Sequence, residues 1–212
     1  MGSRAEQAPL QHVYWLGGGS GAGKSTIARR IAAEHGLRVF STDDVMADHA
    51  GRTSPADAPY LSEFAAMDMD DRWVNRTPQT MLETFHWYRG EGFGLIVEDL
   101  LRMPTDTGVV VEGFRLLPQL VQPLLTETCH AVWLLPTPDF RAAAFDSRTV
   151  GWDVPSNTSD PERARQNLFE RDHMFTDRLR AETKRLGLPV IEVDNGTSED
   201  ELAAAVSRAF EL

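Results

Sequence analysis

Residues Gly18-Gly19-Ser20-Gly21-Ala22-Gly23-Lys24-Ser25 match G-x-x-x-x-G-K-[ST] at every fixed position. The flanks constrain the fold as strongly as the motif. His12–Gly17 is a short apolar and aromatic run, and Lys24–His35 spaces Ile27, Ala28, Ile31 and Ala32 along one helix face. A strand that enters a glycine turn and leaves as a helix points successive backbone N–H groups at one spot, where the helix also presents its positive end. Phosphate oxygens fit that cradle. Lys24, expected to stand exposed inside it, can reach the outer phosphates of a nucleoside triphosphate, and the Ser25 hydroxyl can ligate magnesium. Thr26 is expected to support the loop or helix. GTPases and mechanical ATPases use the same loop, so the motif does not select a reaction. A dinucleotide-binding reading, with Gly17–Gly21 as the turn and Asp43 or Asp44 on a ribose, competes poorly against Gly23-Lys24-Ser25.

Four further apolar runs follow at α/β spacing. Leu37–Ser41, Gly108–Glu112, Ala131–Leu135 and Pro189–Val193 read as strands, the second of these on the β-branched Val109, Val110 and Val111. Helix starts lie between them. Thr77-Pro78 and Asp160-Pro161 each place a cap before a proline, and Ser198 with Glu201 forms a capping box. The alternation predicts a three-layer α/β domain with a five-stranded, mainly parallel sheet over residues 12–212, behind a flexible leader, 1–11. The connection 47–103 is too long for a crossover loop. With 149–159, rich in turn residues, it is expected to form an insert and a lid over the active site.

Composition sets limits. The 212 residues are 42% apolar, which supports one continuous core. A net charge of −11 repels polyanions, so neither nucleic acid nor an anionic membrane surface is an expected partner. No stretch approaches the roughly 20 apolar residues that span a bilayer. Cys129 is the only cysteine, which excludes an intramolecular disulfide and suits a reducing, cytoplasmic setting. Next to the run His130–Leu135, it reads as a small buried hydrophobe. Oligomeric state is not readable.

Ligands of an open parallel sheet gather beyond the carboxyl ends of its strands. Asp43 and Asp44 follow the second strand, and Glu112 ends the third. Asp43 is the favoured group to orient an acceptor hydroxyl and take its proton, with Asp44 in support or capping a helix. Glu112 is a candidate for metal-bound water or a substrate hydroxyl, and Arg115 for substrate or a helix surface. Gly113 is expected to let the turn pass close to substrate. Arg141, Arg148, Arg163, Arg165 and Arg171 surround 149–159, where a closing lid can bring cations to a transferring phosphate. The acidic group Asp68, Asp70 and Asp71 reads as a solvated turn, and the methionines nearby as packing.

On Gly18–Ser25, Ser41-Thr42-Asp43-Asp44, Val109–Arg115 and these arginines, the chain resembles the P-loop small-molecule and nucleoside-monophosphate kinase group. It looks closer to kinases of small metabolites or antibiotics, including chloramphenicol phosphotransferase-like and gluconate-kinase-like enzymes, than to a familiar adenylate kinase. The resemblance implies a P-loop fold, an acceptor-binding helical insert, a mobile lid, and ATP and Mg2+ as cofactors. Gly18, Gly19, Ser20, Gly21, Ala22, Gly23, Lys24, Ser25, Thr26, Arg141 and Arg165 would bind nucleotide, with Ser25 on the metal. Lys24, Asp43, Arg148 and Arg171 would act in transfer to a small-molecule hydroxyl acceptor. No clear Walker-B aspartate ends Val109–Val111, so Glu112 would fill that role. A monophosphate kinase and a nucleotide-dependent regulatory protein remain alternatives, as do other nucleoside triphosphates. No residue set identifies the acceptor.

Overall fold

A computed structural model describes residues 10–147 and 154–212. Arg148, the lid residues 149–153 and most of the leader lie outside the described residues. Five strands, β1 (Val13–Gly18), β2 (Arg38–Ser41), β3 (Val109–Glu112), β4 (Ala131–Pro136) and β5 (Val190–Val193), form one sheet in the order β2-β3-β1-β4-β5. Every pairing is parallel. Each strand lies within one residue of its expected bounds.

Side chains alternate across the sheet, and the sequence fills both faces. Val13, Trp15, Val109, Val111, Trp133 and Leu135 enter one core, with Phe175 and Leu179 of the long helix α9 (Pro161–Leu186). Leu16, Val110, Val132 and Leu134 enter the other. They pack on Ile27 and Ile31 of α1 (Lys24–His35) and on Val206 of α10 (Glu199–Ala209). Strands β3 and β4 are buried throughout, as uninterrupted apolar runs in a doubly covered sheet should be.

The insert is helical: α2 (Met46–Arg52), α3 (Pro59–Ala66), α4 (Met69–Trp73), α5 (Pro78–Thr84), a 3-10 turn His86–Arg89, and α6 (Phe93–Arg102). Trp73, Val74 and Met81 pack on Ala164 and Leu168, so the insert sits on the first half of α9. Asn167 fastens it by donating to Trp73 O at 3.0 Å and Val74 O at 3.2 Å. The expected caps are present: Thr77 accepts from Thr80 N, Asp160 from Arg163 N, and Ser198 with Glu201 forms the box. Among the described residues, no helix is long and apolar enough to cross a membrane. After β3, the chain continues through α7 (Pro118–Val121), and after β4 through α8 (Pro138–Ser147).

Two local expectations need correction. Cys129 lies in a 3-10 turn before β4 and is half-buried, because the apolar run joins the sheet only at Ala131. Burial, then Glu211 and Glu127, push its thiol pKa up, which keeps it protonated. The acidic group is more structured than a solvated turn. Asp68 caps α4, Asp70 accepts from Ser159 N at 2.7 Å, and Asp71 accepts from Asn75.

Candidate functional site

β1 leaves the sheet at Gly18, where φ is 138° and a Cβ would lie 2.1 Å from Leu134 O. Only glycine can turn so close to the neighbouring strand. The next amide, Gly19 N, donates to Leu134 O at 3.0 Å, and the loop then wraps to the first turn of α1. Lys24 is 8% exposed, and its Nζ donates to Gly19 O at 2.8 Å. It therefore lies across the inside of the loop rather than standing exposed, because a nearly buried ammonium needs an acceptor.

Ser20–Thr26, Asp43, Glu112 and Phe114 line one cavity of about 140 Å³. Strand register creates this meeting. Both Leu16 of β1 and Ser41 of β2 lie opposite Glu112, so the ends of three strands come level at the phosphate loop. Glu112 is 1% exposed. Its Oε1 accepts from Ser25 Oγ at 3.0 Å, and its Oε2 is buried with no hydrogen-bond partner. A buried carboxylate oxygen without a donor, beside a serine hydroxyl, is a hard oxygen pair of the kind magnesium takes, directly or through water. The residues fit that ion.

Asp43 lies in the turn after β2, exposed toward the cavity and crowded by protein behind. That crowding pushes its pKa above the ordinary aspartate value. Lys24, Arg115 and the Thr42 hydroxyl pull it back, while Asp44 adds to the rise. Asp44 is exposed and does not line the cavity. Gly113 makes its close approach to Thr42 rather than to the cavity, which it does not line: its φ is 146°, and a Cβ would lie 1.7 Å from Thr42 Oγ1.

The arginines are placed differently from expectation. Arg115 is 2% exposed rather than on a helix surface, and donates to Thr42 O. Burial lowers its pKa to about 10, against the pull of Asp43 and Asp99. Arg171 is 4% exposed and donates to Asp172 Oδ1 from Nε at 2.9 Å and from Nη2 at 2.6 Å. Arg141 Nη2 lies 3.1 Å from Asp172 Oδ2, and the Tyr88 hydroxyl donates to Asp172 Oδ1 at 3.0 Å. Burial alone would raise the Asp172 pKa, but Arg171 and Arg141 hold it below the usual value. Neither Arg141 nor Arg171 lines the phosphate cavity; Asp172 takes both, and Arg171, buried among Tyr88, Phe85 and Trp73, needs that interior carboxylate. Arg163 and Arg165 are exposed on α9.

Sequence reasoning passed over His49, Asp99, Asp172 and Phe114. His49 and Asp99 meet across 50 positions and Asp172 meets Tyr88 across 84, so no local spacing marks those contacts; Arg171, next to Asp172, is a local partner. Phe114 could have been found from its place just past the end of β3.

The family model described as AAA domain matches residues 13–135. A search of curated proteins finds no match. Among solved structures, a gluconokinase from Sinorhizobium meliloti 1021 is 18% identical, with a TM-score of 0.50, over 95% of this chain and 92% of that one. A deoxyadenosine kinase from M. mycoides with bound dATP is 11% identical, with a TM-score of 0.50, over 94% of this chain and 100% of that one. These likenesses are of fold, and they agree with the observed three-layer architecture.

Proposed function

The chain belongs to the AAA domain family, and from that premise we propose that it is a small-molecule kinase, transferring the terminal phosphoryl group of Mg-ATP to a hydroxyl. The observation that carries this reading is the convergence of the phosphate loop, Asp43 and Glu112 on one cavity. A nucleotide switch needs the loop and the metal acid. An exposed carboxylate of raised pKa lining the same cavity is what an acceptor hydroxyl needs.

The loop amides and Lys24 would hold the phosphates, while Ser25 and Glu112 would hold the metal. Bound magnesium would neutralise phosphate charge and align the transferring group. Asp43 accepts a hydrogen bond from the acceptor hydroxyl and orients its oxygen toward the terminal phosphorus. As the new P–O bond forms, the bond from the terminal phosphorus to the bridging oxygen breaks, ADP leaves with that electron pair, and the hydroxyl proton passes to Asp43. Arg115, Arg141 and Arg171 are turned to interior partners, which favours an acceptor without a phosphate over a monophosphate. The acidic surface and single cysteine suit a cytoplasmic setting.

The test is a mass-balanced screen with Mg-ATP against sugars, sugar acids, nucleosides and hydroxylated antibiotics. One acceptor should gain a single phosphoryl group, in step with ADP formation, and the gain should be lost in D43N. Nucleotide-dependent capture of a protein, with no phosphorylated product, would support a switch instead.

A further inference from the structure

Arg115 does not line the phosphate cavity, yet its guanidinium joins segments far apart in sequence. Nη1 donates to Thr42 O at 3.1 Å, on the residue before Asp43. Nη2 donates to Gly92 O at 3.2 Å, at the start of α6, and lies 3.0 Å from His49 Nδ1 on α2. The group rests on Trp87, 4.1 Å from the ring centroid. Arginine offers donors only, so His49 Nδ1 must accept and the imidazole proton belongs on Nε2. That N–H points at Asp99 Oδ2 on α6, 2.7 Å away. Asp99 Oδ1 is in turn held by Arg52 at 2.8 Å. Every member has a partner on each side, and the chain of contacts ends on the backbone next to Asp43.

That backbone needs holding. The hydrogen bond given to the Asp43 side chain is a long one, 3.5 Å from Thr42 Oγ1. Its turn is tied to the sheet by Thr42 N donating to Glu112 O at 2.9 Å, and the bond from Met46 N to Asp43 O is 3.3 Å. An exposed carboxylate on such a turn points well only if the turn is fixed from behind. We infer that Asp99, His49 and Arg115 form a positioning relay that carries the packing of the insert helices α2 and α6 to Thr42, and so fixes where the Asp43 carboxylate points. This rests on the reading of Asp43 as the acceptor's carboxylate. It adds a route by which the insert acts on the reaction without touching the phosphates.

The His49 pair of variants separates positioning from bulk stability. His49→Asn keeps an acceptor near the Nδ1 position, whereas His49→Gln reaches toward Asp99 and offers Arg115 none. His49→Gln should lower turnover roughly 10–100-fold, with Mg-ATP affinity within about twofold of wild type. His49→Asn should recover much of that loss. Arg115→Lys keeps the charge without the fork and should not rescue. Amide exchange, read on the Mg-ADP complex, needs no acceptor. Residues 42–46 should exchange about tenfold faster in His49→Gln, while 18–25 stay unchanged. If a variant fails to fold, Asp99→Asn, at the half-exposed end of the relay, is read the same way. Unchanged exchange at 42–46, or acceleration spread over the whole fold, overturns the relay. So does wild-type turnover in His49→Gln while D43N is inactive. If D43N is itself active, the reading of Asp43 fails instead.

Discussion

Replacing Asp43 by asparagine (D43N) removes a carboxylate that both lines the phosphate cavity and reaches solvent; Glu112, which lines the same cavity, is 1% exposed. The side chain is exposed and its hydrogen bond is the 3.5 Å contact with Thr42 Oγ1, so the fold should lose no more than about 0.5 kcal/mol. Losing a general base should cost about 10²–10⁴-fold in turnover. That is ~3–5 kcal/mol of transition-state stabilisation, several times the effect on the fold. The wild-type rate should also fall as pH drops through the raised Asp43 pKa, at a pH above the ordinary aspartate range, and D43N should lack that limb. Stability runs the other way. A raised folded pKa means that the fold binds this proton more tightly than the unfolded chain does. The resulting stabilisation is complete below the unfolded value and disappears as pH rises through the folded one. Turnover at saturating acceptor and Mg-ATP, with nucleotide affinity measured separately by calorimetry, decides the matter. Asp44→Asn should show a much weaker defect. Near-wild-type turnover in a folded, nucleotide-binding D43N would refute the assignment, and a selective loss in Asp44→Asn would exchange the two aspartates.

Lys24→Ala should weaken Mg-ATP binding in a calorimetric titration and severely reduce turnover while the fold persists; retained kinetics would remove Lys24 from the phosphate role. Gly113→Ala forces a Cβ to within 1.7 Å of Thr42 Oγ1 at a φ of 146°, so urea unfolding should show a loss of about 1–3 kcal/mol. Turnover should fall beyond that, because the displaced residue carries the Asp43 turn. Asp172→Asn leaves Arg171 and Arg141 buried without their carboxylate and should cost about 3–5 kcal/mol at neutral pH. The depressed Asp172 pKa stabilises the fold above the unfolded value and is lost as pH falls through the folded one. The variant's stability should therefore vary less on acidification than that of wild type. Chelation by EDTA should abolish transfer, and magnesium should restore it.

The parts legible in the sequence are those with short-range causes. Glycines that must turn, a lysine and serine at fixed offsets, and alternating β-branched residues act within a few positions, so Gly18–Ser25 and all five strands could be read directly. Caps are equally local: Thr77, Asp160 and Ser198 bond to amides three residues on. Asp43 and Glu112 were legible as strand ends. Their meeting needed the order β2-β3-β1, in which register sets Ser41 and Leu16 opposite Glu112. The arginines went the other way. Charge and a turn-rich neighbourhood pointed Arg141 and Arg171 at phosphate, but a surface cation and a buried one look alike in a sequence. Asp172 stands next to Arg171 in the chain, but tertiary packing put Tyr88, Phe85 and Trp73 around that arginine and brought Arg141 to the same carboxylate, and the interior pairing followed. Arg115 likewise turned inward because Thr42, His49 and Gly92, remote along the chain, meet only when the insert folds over the sheet. Backbone propensity and motif spacing are properties of neighbours, and they settled the nucleotide loop. The partner of a buried charge is set by what the finished core brings beside it, and that only the fold decided.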